Sequence, residues 1–351
     1  MNSLPPSQNL PIGKLAACFN KTTSSYKFYW LLSILDQVEN GTIDIPKRNL
    51  FAGMISHAWY TVNYYRLRFG YPRKGKGDSD LLHESVLTVK EIEQLPMSAD
   101  KKEVFDCLIK TNHPSTLRSL FHFDRYVPYK FLSPWFPGSS DEEIVFRSKD
   151  SESLSLYSFN YDSIKINDLW VSYLKTNAAF IRDFCFWNLA LYLQTKNPNI
   201  PDIPNKLIKP AQRNSLAKQR HYWNQVFHDL GSVKCIYTQR DLKIDNYAVE
   251  HFIPHAFVSH DLLWNLIPSD SDFNSVKGSK LPSLEKYFLP FFELHRTTLD
   301  LMKDREPRNP LLDDYLLIFP DLETSISPES YYRQLQPLIS IAANNGFEYM
   351  V

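Results

Sequence analysis

Apolar positions recur at helical spacing through most of this chain, and short alternating runs interrupt them. Residues 22–39 read as an amphipathic helix, with its start signalled among Thr22, Thr23 and Ser24. Residues 47–69 read as a second helix, dense in aromatic side chains, and 89–95 and 101–111 as shorter ones. Segment 121–137 is aromatic and proline-bearing, which predicts irregular structure, and 139–153 is polar and acidic, which predicts an exposed loop. Residues 154–166 alternate as a strand does. Residues 167–196 have the length and period of a long helix, with Phe180, Phe184, Trp187 and Leu191 as its expected core stripe.

Segment 197–204, Asn-Pro-Asn-Ile-Pro-Asp-Ile-Pro, breaks this rhythm and marks the clearest boundary in the chain. A helix over 212–230 follows. Two β-branched or aromatic runs, 233–237 and 247–253, then read as strands. Asp272, Asn274 and Ser275 offer side chains that start a helix, so the region reads ββα. Phe257, Val258, Leu262, Leu263 and Trp264 are expected to be buried in the long connection between these parts. Helices over 283–305 and 328–344 close the chain. The fold class is therefore α+β: a largely helical N-terminal domain (1–204), a small ββα domain (205–290) and a C-terminal helical segment (291–351).

Composition narrows this further. A chain of 351 residues has room for two or three compact units, and 43% hydrophobic residues argue against disorder. The four cysteines, Cys18, Cys107, Cys185 and Cys235, form no Cys-x-x-Cys pair, which points to a reducing compartment rather than a disulfide scaffold. The first ten residues lack the features of a secretory leader, and the apolar runs at 26–35 and 184–193 are too short to span a bilayer. A cytoplasmic protein with no membrane partner is expected. The 39 basic and 39 acidic residues cancel, which excludes a surface that is basic all over. Charge is nonetheless uneven. Lys206, Lys209, Arg213, Lys218 and Arg220 form a run free of acids just before the ββα region. Arg66, Arg68, Arg73, Lys74 and Lys76 interleave with Tyr64, Tyr65, Phe69 and Tyr71 in a second run. Either run is a solvated face or a surface that neutralises nucleic-acid phosphates.

The candidate chemistry lies in the ββα region. His251 is preceded by Glu250 and followed by Asn265 fourteen positions on, and Asn274 stands nine beyond that. Cutting a phosphodiester requires an activated water and a neutralised phosphate. An imidazole is the natural base near neutral pH, and carboxylate and amide oxygens suit a hard divalent cation. Neighbours on a strand face opposite ways, so Glu250 and His251 can serve one site only at a strand end or bend, with which Pro254 agrees. His255 and His260 lie off this pattern and are expected in loop or supporting roles.

Over about residues 231–282 the chain resembles the HNH endonuclease superfamily, which includes colicin nucleases, many restriction enzymes and the HNH domain of RNA-guided CRISPR nucleases. The resemblance implies His251 as general base and Glu250 and Asn274 as ligands of a divalent metal, magnesium first and manganese second. It implies Asn265 as the residue that ties the loop to the strand, and Lys277 and Lys280 as phosphate contacts. Lys209, Arg213 and Lys218 are expected to add backbone affinity for DNA. One departure stands out. Many relatives carry two Cys-x-x-Cys pairs around a structural zinc, whereas here Cys235 is followed by Thr238 and the second knuckle has no cysteine. Flanking segments must brace the unit instead. A metal-dependent DNA endonuclease, in the manner of a bacterial restriction or phage-defence effector, is the function implied. The alternatives are a degenerate HNH module that binds nucleic acid or scaffolds a complex, and a nuclease that cuts RNA. The N-terminal domain is where a protein partner or a second copy would dock.

Overall fold

Two buried helices set the architecture of the N-terminal half. In the computed structural model, which describes residues 4–73, 77–209 and 214–350, the Tyr26–Glu39 helix buries ten of its fourteen residues. Its neighbour Lys47–Asn63 buries thirteen of seventeen. Helices that are apolar nearly all round belong inside a core, so the amphipathic helix expected for 22–39 is corrected to one buried on nearly every face. It also starts later, after Ser25, whose N–H and hydroxyl both donate to the Asp80 carboxylate at 2.7 and 3.1 Å. Gly53 permits the close crossing of the pair, since a Cβ there would fall 1.8 Å from the Ser33 hydroxyl oxygen. That hydroxyl donates to the Leu50 carbonyl at 2.8 Å.

The helices Leu81–Glu93 and Lys101–Lys110 surround this pair, and an antiparallel sheet of Asp44–Pro46, Ser163–Ile166 and Tyr157–Phe159 lies beside it. Segment 121–137 is more regular than expected, with a 3-10 turn at His122–Arg125 and a helix at Val127–Leu132. The 139–153 loop is likewise corrected: Asp141–Arg147 is a helix, started by a capping box between Ser140 and Glu143. The long helix breaks at Asn177 into Asp168–Thr176 and Ala178–Lys196. The stripe expected to be its core faces outward, with Phe180, Trp187 and Leu191 at 58%, 51% and 51% exposure. Ile181, Cys185, Leu189 and Leu193 are buried in its place.

The chain divides into two compact units, Met1–Pro198 with Ile203–Lys209, and Asn199–Asp202 with Pro210–Val351. The second contains the ββα region and the long helices Leu284–Arg305 and Pro328–Asn344. Small antiparallel sheets amid helices make the fold α+β. Among the described residues no helix is long and apolar enough to cross a membrane.

Candidate nuclease site

The strand Ala248–His251 pairs antiparallel with Leu266–Ser269, with Glu250 opposite Ile267 and His251 opposite Leu266. The two runs read as strands do not pair with each other. The run at 233–237 contributes only Val233–Lys234, which pairs with Asp241–Leu242 in a separate hairpin. Pro268 disguises the true partner strand, which is buried along its whole length. The helix Ser271–Lys277 follows directly, capped by Asp270 rather than by Asp272, Asn274 or Ser275. Glu250 and His251 are the last two residues of their strand, which bends at Phe252 and Ile253; the Glu250 carboxylate meets Lys277 and the His251 ring meets Asp261.

Asn265 closes the connection between the strands. Its amide N–H donates to the Ile253 carbonyl and its amide oxygen accepts the Ile253 N–H, both at 2.8 Å, in a fully buried setting. The side chain thus satisfies two backbone groups that no ladder reaches. Phe257, Val258, Leu263 and Trp264 are buried around it as expected, whereas Leu262 is half-buried.

Glu250 is where the structure departs most from the resemblance. Its carboxylate accepts from the Lys277 ammonium at 2.5 Å, and the same ammonium donates to the His251 carbonyl at 2.9 Å. Lys277 is fully buried and Glu250 nearly so. Burial pushes the Glu250 carboxyl above its ordinary range, against the lowering effect of Lys277, and burial pushes the Lys277 amine down. Lys277 is therefore an internal partner of Glu250, and not the surface phosphate contact expected of it. Asn274 lies one turn before Lys277 on the same helix face, and its side chain has no hydrogen-bond partner among the described residues.

The oxygen donors of Glu250 and Asn274 are of the kind a hard cation takes, but their arrangement does not fit one. A cation on Glu250 would sit beside an ammonium that already neutralises it. Among the described residues no group of three or more His, Cys, Asp or Glu side chains is placed to hold a metal.

His251 is largely buried, and its Nε2 lies 2.9 Å from Oδ1 of Asp261. His255 Nε2 lies 4.0 Å from the same oxygen, and the two rings meet nearly edge-on at 5.2 Å. Nothing in the sequence singles out Asp261. It lies in the connection, off the motif's spacing, and only the return of that loop to the strand end reveals it.

The corner where relatives hold zinc is built differently. Cys235 is a free, buried thiol whose sulfur accepts the Asp270 N–H at 3.5 Å. Burial raises its pKa, but hydrogen bonds from Thr238 and Asp270 outweigh this and leave it below the ordinary thiol value. Arg240 donates to Asp270 Oδ2 at 3.0 Å and spans the same two segments. The backbone hydrogen bond from Phe273 and then the hydrogen bond from Arg240 hold Asp270 below the usual carboxylate range. The C-terminal helices supply the rest of the bracing. Phe291 packs on Phe252 with ring centroids 4.0 Å apart, and Tyr287 meets Tyr237 at 5.1 Å. The Tyr331 hydroxyl donates to the Trp264 carbonyl at 2.6 Å.

The predicted basic contacts separate. Lys206 is buried, and Lys209 donates to the Ser98 carbonyl, both within the first compact unit. Lys218 is exposed, and with His221 and Arg308 it lines a cavity of about 870 Å³ in the second unit. Arg220 lies over the Tyr247 ring at 4.9 Å. Lys280 is half-exposed. Arg213, Lys74 and Lys76 lie outside the described residues.

Residues 235–283 match a family model described as HNH endonuclease. No curated protein and no solved structure matches the chain. The matched stretch contains Glu250, His251, Asn265, Asn274 and Lys277. Residues 235–283 are thus an HNH endonuclease unit carried within a longer chain.

Proposed function

We propose that this protein is an endonuclease that hydrolyses phosphodiester bonds of DNA, with His251 as the general base. The observation that carries the reading is the placement of His251 at the end of its strand, with Nε2 held by a carboxylate and Nδ1 neither bonded nor sealed from solvent. A neutral imidazole held this way takes a proton from an attacking water, an assistance worth roughly 10²–10⁴-fold. Asn265 acts by holding the loop, and Lys218 and Lys280 are the basic side chains best placed to meet a phosphate backbone. HNH nucleases generally use a divalent metal, and magnesium is the ion to test first, with manganese beside it. Glu250 and Asn274 are the donors the family would assign to it. Restriction or phage defence in the cytoplasm is the setting this activity suits.

The Glu250–Lys277 pair favours a second reading, in which the unit has lost catalysis and binds nucleic acid or scaffolds a complex. The deciding experiment incubates the purified full chain with supercoiled plasmid or structured RNA, in magnesium, manganese or EDTA, beside His251→Ala. Cleavage by the wild type alone supports the nuclease and names its substrate. Equal cleavage by His251→Ala overturns the assignment of the base. Binding without cleavage under every condition supports the second reading.

A further inference from the structure

We infer that Asp261 is the positioning residue of His251: it fixes the ring in the Nε2–H tautomer and leaves Nδ1 as the basic nitrogen. The inference rests on the nuclease reading for its consequence, but its geometry stands alone. An ionised carboxylate only accepts hydrogen bonds, so at 2.9 Å the hydrogen lies on Nε2 of His251. The lone pair is then on Nδ1, which has no hydrogen-bond partner and still reaches solvent, where a substrate water can approach.

The backbone that carries Asp261 is held from outside the motif. Ser259 adopts a left-handed backbone, φ 58°, that turns the chain back after the short helix His255–Val258. The Gln219 side chain, from the helix Ala217–Leu230, donates to the Asp261 carbonyl at 2.9 Å. Two residues on, the Leu263 N–H donates to Asp314 Oδ2 at 2.7 Å. The backbone at Asp261 is thus held at the residue itself and two positions on by side chains remote in sequence, as an element must be if it is to hold a ring within the tolerance that proton transfer demands. His255 packs nearly edge-on against the His251 ring, with its own Nε2 4.0 Å from the same Asp261 oxygen.

The test uses the full chain with 15N-labelled histidine. Long-range proton–nitrogen spectra read which ring nitrogen of His251 carries hydrogen, and His251→Gln identifies its signals. Wild type is expected in one tautomer with hydrogen on Nε2. Asp261→Ala should populate both tautomers. Asp261→Asn, whose amide can donate, should shift the population toward Nδ1–H. Asp261→Glu should restore much of the wild-type signal. In cleavage assays kcat should fall on the order of 10²-fold in the Ala and Asn variants with KM nearly unchanged, and recover in part with Glu. A single, unchanged tautomer in folded Asp261→Ala overturns the inference, as does wild-type kcat in Asp261→Asn when His251→Ala is inactive. Should the wild type cut neither DNA nor RNA, the nuclease reading fails and the tautomer measurement still decides the positioning role. Circular dichroism and the melting temperature report whether each variant is folded. If Asp261→Ala is not, the Asn and Glu variants carry the comparison.

Discussion

The Lys277 ammonium and the Glu250 carboxylate form a buried ion pair, and the same ammonium caps the His251 carbonyl. A buried pair gains little over an apolar substitute, but removing one partner strands the other charge. Lys277→Met should therefore destabilise the protein by about 3–5 kcal/mol, and Glu250→Gln combined with it should restore much of the loss. Urea titration of the two single variants and the double variant checks this. Additive losses would mean that the two side chains do not depend on each other.

Asn265 should matter through the fold. Its replacement by Ala leaves the N–H and carbonyl of Ile253 unsatisfied in a buried site, at about 1–3 kcal/mol for each group. A fall in melting temperature together with lost activity is expected. An unchanged melting temperature with activity lost would assign Asn265 a direct chemical role.

Asn274 can lose its amide at little structural cost, because Asp270 caps the helix and the Asn274 side chain has no partner among the described residues. Asn274→Ala is predicted to keep stability within about 0.5 kcal/mol and, with Lys277 already paired to Glu250, to leave the affinity for manganese, read by electron paramagnetic resonance, unchanged. A fall in manganese affinity would restore Asn274 as a ligand.

Lys218 and Lys280 should carry salt-dependent affinity for DNA, and Lys209 should not. Taking away one lysine that neutralises a phosphate lowers the slope of log affinity against log salt by about 0.9. Binding isotherms of the three Ala variants at several salt concentrations separate them. A lowered slope for Lys209→Ala alone would place the nucleic-acid path on the other compact unit.

His295 supplies a pH dependence. Burial pushes its pKa down to about 3, and its Nδ1 meets the Tyr315 hydroxyl at 2.7 Å. The folded state keeps the ring neutral while the unfolded chain protonates it below about 6.5. The contribution is therefore intact above that value and is lost as pH falls toward 3, by roughly 1.4 kcal/mol per pH unit. Urea midpoints of wild type and His295→Phe at pH 7.5 and 5.5 test it. Parallel losses in both proteins would assign the acid sensitivity to other groups.

Features with local causes are legible in the sequence. The closing helix Pro328–Asn344 has the bounds read from its apolar period and its opening proline, and Leu284–Arg305 differs by one residue. The Asn265 clasp, which the family resemblance implies, closes the long connection onto Ile253 as expected. What escapes depends on distant partners. The strand Leu266–Ser269 contains a proline and shows no alternation, since it is buried throughout. The aromatic stripe of Ala178–Lys196 has the right period but the wrong phase, because the two flanking helix faces are both rich in apolar residues and only packing chooses between them. Lys277 reads as a phosphate contact until the helix turns it inward onto Glu250. Asp261 is one acid among many until the loop returns it to the strand end.

Arg240, joined to Asp270 where relatives use zinc, is 70% exposed, and an exposed ion pair is a weak clasp. The family motif is consequently not a portable cassette in this protein. Phe252, Tyr237 and Trp264 take their support from the two long C-terminal helices, so a nuclease fragment cut at residue 283 would lack the scaffolding that a metal knuckle carries within itself. With no zinc knuckle of its own, the motif depends on its downstream neighbours, and the two have to be moved or engineered as one piece.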